Sequence, residues 1–83
     1  MAYRVIVPDR VKKELGRIDS RYRARILAVL AGLESTPHVG KRLEGEHRGE
    51  RSCRVWPYRI IYRIKPRKSE ILIVKIGHRQ GIY

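Results

Sequence analysis

Arg54, Arg59, Arg63, Lys75 and Arg79 punctuate hydrophobic alternation between Arg51 and the terminal Tyr83. Cations set at strand spacing among aliphatic residues make a surface suited to a polyanion. Arginine stays charged and donates in a planar fork matched to phosphate oxygens. The other chemistry-bearing residues are few. Cys53 is the only cysteine, falls on an apolar strand face, and is expected to be a small buried hydrophobe. His78 has the imidazole that acid–base work favours, but strand alternation sets it opposite Arg79. His38 and His47 lie in a loop without a paired motif and are expected at the surface. No His, Cys, Asp or Glu set has metal-ligand spacing, so neither a metal nor another cofactor is expected.

The charge supports the same partner. Twenty Lys and Arg against 8 Asp and Glu give +12 at pH 7, too few acids for ion-pair networks to absorb the excess. Counterion release then favours phosphate-bearing partners, a nucleic acid or the ribosome. With 83 residues and 42% hydrophobic composition, residues 1–83 form a single domain with one thin core, and an open groove is expected rather than a deep cavity. A lone cysteine fits a reducing cytoplasm. The opening residues are too few and too charged for a signal peptide, and no apolar run approaches the roughly 20 residues that span a bilayer.

These side chains need elements to position them. Ala2 to Val7 is β-forming and Pro8 ends it. Asp9 is the expected cap of a helix from about Arg10 to Ile18, with Val11, Leu15 and Ile18 on one face. Asp19 or Ser20 caps a second helix to about Glu34, whose stripe is Tyr22, Ile26, Val29, Leu30 and Leu33. Residues 35–50, rich in Gly and charge, read as irregular loop. Strands follow near Arg51–Val55, Tyr58–Ile64 and Glu70–Ile76. The expected fold is α+β, a two-helix hairpin packed on a largely antiparallel four-stranded sheet in the order β-α-α-β-β-β.

A tight hairpin with Trp56 and Pro57 at its tip sets Val55 opposite Tyr58, Arg54 opposite Arg59 and Cys53 opposite Ile60. Residues two apart share a face. Cys53, Val55, Tyr58, Ile60, Tyr62 and Ile64 then look toward the helices, with Arg54, Arg59, Ile61 and Arg63 on the other side. Directly opposed arginines repel by a few tenths of a kcal/mol or more, so an anion between them is the natural partner. Proline at the second tip position fits a two-residue hairpin poorly unless the Trp56–Pro57 bond is cis.

The segment Arg54-Val-Trp-Pro-Tyr-Arg59-Ile-Ile-Tyr62, the ending Ile76-Gly-His-Arg-Gln-Gly-Ile-Tyr83 and the earlier Lys41-Arg-Leu-Glu-Gly45 together resemble the RelE/ParE toxin superfamily over essentially the whole chain. The resemblance to its RelE branch implies a metal-independent endoribonuclease that cuts mRNA in the ribosomal A site. There the RNA's own 2′-OH attacks the adjacent phosphate and leaves a 2′,3′-cyclic phosphate. It implies Arg54, Arg59, Arg79 and Tyr83 as catalytic residues, Tyr83 moving a proton or stacking on a base. Arg51, Trp56, Arg63, Lys75 and His78 are the expected contacts to RNA or ribosome. Ser52 stands where such enzymes often carry another cation, so either the cationic set is smaller here or Arg51 supplies the charge. The implied partners are the ribosome, mRNA and a cognate antitoxin that wraps the toxin with an acidic segment. The toxin alone is expected to be monomeric, with larger assemblies formed through the antitoxin.

Two rivals share the fold. One is a ParE-like inhibitor of DNA gyrase without nuclease activity, against which the full set Arg54, Arg59, Arg79 and Tyr83 argues. The other is an inactive ribosome- or RNA-binding module that keeps the basic face.

Overall fold

The computed structural model describes residues 3–80. Strand β1 (Arg4–Ile6) leads into helices α1 (Asp9–Gly16) and α2 (Ser20–Leu33). Strands β2 (Lys41–Arg42), β3 (Arg51–Val55), β4 (Tyr58–Lys65) and β5 (Glu70–His78) follow. Short 3₁₀ turns occupy Gly45–His47 and Pro66–Lys68.

Both helices form where apolar spacing placed them, although α1 ends at Gly16 and leaves Ile18 in the turn that follows. Val11, Leu15 and Ile18 are buried, as are Ile26, Leu30 and Leu33, with Tyr22 and Val29 packed against them. The caps divide. Asp19 does cap α2, its carboxylate accepting from Arg21 N–H at 2.9 Å. That backbone bond holds the carboxyl below its usual range. Asp9, by contrast, is the first residue of α1, and Pro8 occupies the cap position without a side-chain bond. Its charge there complements the helix N-terminus.

The sheet has five strands rather than four, in the order β1-β5-β4-β3-β2. The additional strand is β2, within the segment expected to be irregular. Lys41 pairs with Ser52 and Arg42 with Arg51. Only β1 runs parallel to its neighbour β5, and the other pairings are antiparallel. The hairpin keeps the expected register, with Arg54 opposite Arg59 and Val55 opposite Tyr58, and its Trp56–Pro57 bond is cis.

One face of the sheet carries the core under the helices, including Val55, Ile60, Tyr62, Ile71, Ile73 and Ile76. Tyr62 does more than pack. Its ring is fully buried while its hydroxyl donates to Pro37 C=O at 2.7 Å and accepts from Gly40 N–H at 2.9 Å. Burial raises its phenol above the ordinary range and keeps it protonated. A Cβ on Gly40 would lie 2.6 Å from that hydroxyl, so glycine here permits the contact that brings the 37–40 loop, and with it β2, onto β3.

Strand β5 contains an irregularity. Ile61 faces Lys75 but Tyr62 faces Ile73, leaving Val74 without a partner across the pair. Beyond Leu72 that strand also outruns β1. Helix α1 satisfies this edge: Arg10 donates to Val74 C=O at 2.8 Å, and Glu14 lies 3.5 Å from Ile76 N–H.

Candidate functional site

The sheet face turned away from the helices is where the cations collect. Because directly paired residues share a face, the register can be followed across it. Arg54 on β3 opposes Arg59 on β4, which opposes Gly77 on β5. The next row is Lys41, Ser52, Ile61 and Lys75. Glu50, Arg63 and Leu72 lie one step further, with the Arg63 guanidinium 3.5 Å from the Glu50 carboxylate. At the far end Lys65 opposes Glu70, which pairs with Arg4 and is thereby held below the usual carboxylate range.

Ile61 is fully buried on this face, although it lies outside the main core. Its neighbours are Ser52 and Lys75 across the strands and Arg59 and Arg63 along its own. Long basic side chains lay aliphatic stems over apolar surface and keep their charged ends in water. Ile61 thus gives the cations a dry floor, and the Arg59 Nε is buried beside it.

Trp56 and Arg79 close the hairpin end of the arginine row. Arg79 N–H donates to Pro57 C=O at 2.9 Å, and its guanidinium carbon sits 6.0 Å from the Trp56 ring centroid. Trp56 is 59% exposed, so its ring is available for stacking on a base. The structure therefore brings together Arg54, Arg59, Arg63, Lys75, Trp56 and Arg79.

Two expected contacts do not join them. His78 pairs with Tyr58 and lies toward the helix side, its ring 5.9 Å from the Tyr58 ring and nearly perpendicular to it. Its Nδ1 accepts from Gln80 N–H at 3.4 Å. Arg51, the candidate to make up for Ser52, also turns to the helix side, where it donates to Gly40 C=O at 2.8 Å and His38 C=O at 3.2 Å. Its guanidinium holds the loop that leads into β2. Tyr83, the expected proton carrier, lies outside the described residues.

Cys53 is half-buried on the helix side, and desolvation raises its thiol, which disfavours the nucleophilic thiolate. A cleft of about 420 Å³ opens beside the sheet edge, lined by residues such as Arg42, Glu44, Arg48 and Arg51. It lies off the arginine row. Among the described residues no group of three or more His, Cys, Asp and Glu side chains is placed to hold a metal ion, and no helix is long and apolar enough to cross a membrane. The residue that sequence reasoning missed is Lys41, brought onto the cationic face by β2. The only available signal was its place just before Arg42-Leu-Glu-Gly45.

Residues 5–83 match the family described as ParE toxin of type II toxin-antitoxin system, parDE. The chain belongs to that family. It is 32% identical to Toxin RelG of Mycobacterium tuberculosis over 85 residues, covering 100% of this chain and 98% of the relative. Its fold matches the toxin–antitoxin complex RelBE2 from Mycobacterium tuberculosis with a TM-score of 0.88 at 28% identity, covering 95% of this chain and 100% of that one. The archaeal RelE–RelB complex from Pyrococcus horikoshii OT3 superimposes with a TM-score of 0.84 at 28% identity, covering 99% and 100%. This chain is accordingly the toxin of a type II toxin–antitoxin system, with a RelE-like fold.

Proposed function

We propose that this toxin is an endoribonuclease that cuts mRNA in the ribosomal A site and so stops translation. The observation that carries this reading is the Arg54–Arg59 pair, set directly opposite each other on adjacent strands at the end that also holds Trp56 and Arg79. Opposed guanidinium groups repel in the free protein. A phosphate between them turns that cost into a bidentate seat.

The reaction follows from that seat. The 2′-oxygen of the RNA attacks the adjacent phosphorus in line, the P–O5′ bond breaks, and the products are a 2′,3′-cyclic phosphate and a 5′-hydroxyl. Negative charge grows on the non-bridging oxygens, where Arg54, Arg59 and Arg79 stabilise it. Tyr83 takes the 2′-OH proton, and the departing 5′-oxygen takes one from water. Guanidinium charge supplies the electrostatic stabilisation, so the step needs no metal. Trp56 stacks on a base, while Arg63 and Lys75 extend the phosphate track along the sheet. The ribosome orients the mRNA strand on this open face.

An antitoxin is the second partner in this reading, as in the RelBE2 and RelE–RelB complexes. A +12 surface suits an acidic segment that folds on binding, and the toxin alone is a cytoplasmic monomer. The family name, that of ParE, favours a second reading: gyrase inhibition without nuclease activity.

Ribosome affinity is expected to fall steeply with salt. Neutralising roughly four to seven single-strand phosphates predicts a slope of log K against log [salt] of about −3 to −5. Sedimentation with ribosomes carrying mRNA across a salt series measures it. A nearly flat dependence means that the cationic face is not the docking surface.

A further inference from the structure

We infer that Lys41, delivered by the short edge strand β2, is an RNA-phosphate contact adjoining the Arg54–Arg59 seat, an inference that rests on the ribonuclease reading above. Lys41 pairs with Ser52, which pairs with Ile61, which pairs with Lys75. This row is flanked on β3 and β4 by Arg54 and Arg59, two residues along each strand from Ser52 and Ile61. Its two central side chains carry no charge, and both are buried, Ser52 at 6% and Ile61 at 0% exposure. The row thus has an uncharged floor with an ammonium group at either edge of the sheet face.

Without β2 that row holds Lys75 alone. Arg51 is directed to the helix side, bonded to the carbonyls of His38 and Gly40. Those bonds, and the Tyr62 hydroxyl on Pro37 and Gly40, fix the loop that brings Lys41 into place. Arg51 and Tyr62 act as positioning residues for Lys41. Lys41 itself is exposed, and its flexible stem suits a point contact to phosphate rather than a transition-state fork. Its expected contribution is therefore to binding, equal across RNA sequences, and not to the chemical step.

Lysine on an edge strand also protects a sheet from pairing with another chain, and the test separates the two roles. Binding is measured for a short single-stranded RNA whose 2′-hydroxyls are replaced by hydrogen, so that it cannot be cut, over a series of salt concentrations. Lys41→Gln is expected to weaken binding about 3- to 10-fold at low salt and to make the salt slope shallower by about 0.7 to 1. Lys12→Gln removes the same charge from exposed α1 on the other layer and is expected to change affinity less than twofold. Equal losses in both variants would reduce the effect to net charge and overturn the inference. Unchanged RNA binding with a new tendency of Lys41→Gln to self-associate would assign the lysine to edge protection. If the wild-type protein fails to bind the RNA at any salt, this inference is overturned, while the ribonuclease reading, which places the mRNA on the ribosome, is judged by cleavage there. Normal wild-type binding with a silent Lys41→Gln overturns the inference alone.

Discussion

Replacing Arg59 with alanine is expected to slow single-turnover cleavage of ribosome-bound mRNA by about 30- to 1,000-fold, equivalent to ~2 to 4 kcal/mol on the barrier. Arg59 lies on the central strand between Arg54 and Gly77, in the middle of the proposed phosphate seat. Its Nε is buried, which restricts the side chain before the substrate arrives. Preorganisation of this kind is worth more in the transition state than in the ground state. Arg59→Lys keeps the charge but lacks the bidentate fork, and it is expected to recover only part of the rate. A thermal unfolding curve run beside the kinetics separates chemistry from folding, because Arg59 also borders Ile61. Full cleavage by a folded Arg59→Ala protein would remove this side chain from the reaction.

The second large effect is expected at Tyr83. If its hydroxyl carries the proton, Tyr83→Phe keeps the ring, the fold and ribosome affinity, yet cleavage falls by about 10²-fold or more. Stacking alone predicts another pattern: Phe preserves activity and Ala loses it. Single-turnover rates with prebound ribosomes distinguish these, because they exclude binding and product release. A wild-type rate in the Phe variant with a large loss in the Ala variant assigns Tyr83 to stacking.

The parts of this architecture written in local pattern could be read from the chain. Period-2 alternation from Arg51 to Ile64, broken by Trp56–Pro57, set the hairpin register and with it the opposition of Arg54 and Arg59. Helical spacing located Val11, Leu15, Ile26, Leu30 and Leu33 in the core. Strand β2 was not legible, because Lys41 and Arg42 sit among glycines and charges with no β-forming neighbours. What makes them a strand is tertiary: pairing with β3 and the Tyr62 hydroxyl on the preceding loop. The slip at Val74 was hidden for a related reason. Ile71 to Val74 is apolar throughout, so no polar beat marks a change of side.

The site was legible to the same degree. Arg59 and Arg63 are four residues apart on one strand and so share a face, and the hairpin register sets Arg54 opposite Arg59, which is why the three could be grouped. Arg51 is three residues from Arg54, and strand parity sends it to the helix side despite its charge. Geometry outranks charge in that case. Proximity to Arg79 was similarly a poor guide to His78, which alternation directs to Tyr58.

The most direct measurement is primer-extension mapping of an mRNA in a purified translation system, with and without the toxin, on ribosomes and free in solution. New 5′-hydroxyl ends are expected within the A-site codon of ribosome-bound mRNA, at the start of the downstream fragment, with a 2′,3′-cyclic phosphate at the 3′-end of the upstream fragment. Those ends should be absent with Arg59→Ala. Intact mRNA on toxin-treated ribosomes, accompanied by gyrase-dependent DNA breaks in a parallel supercoiling assay, would contradict it.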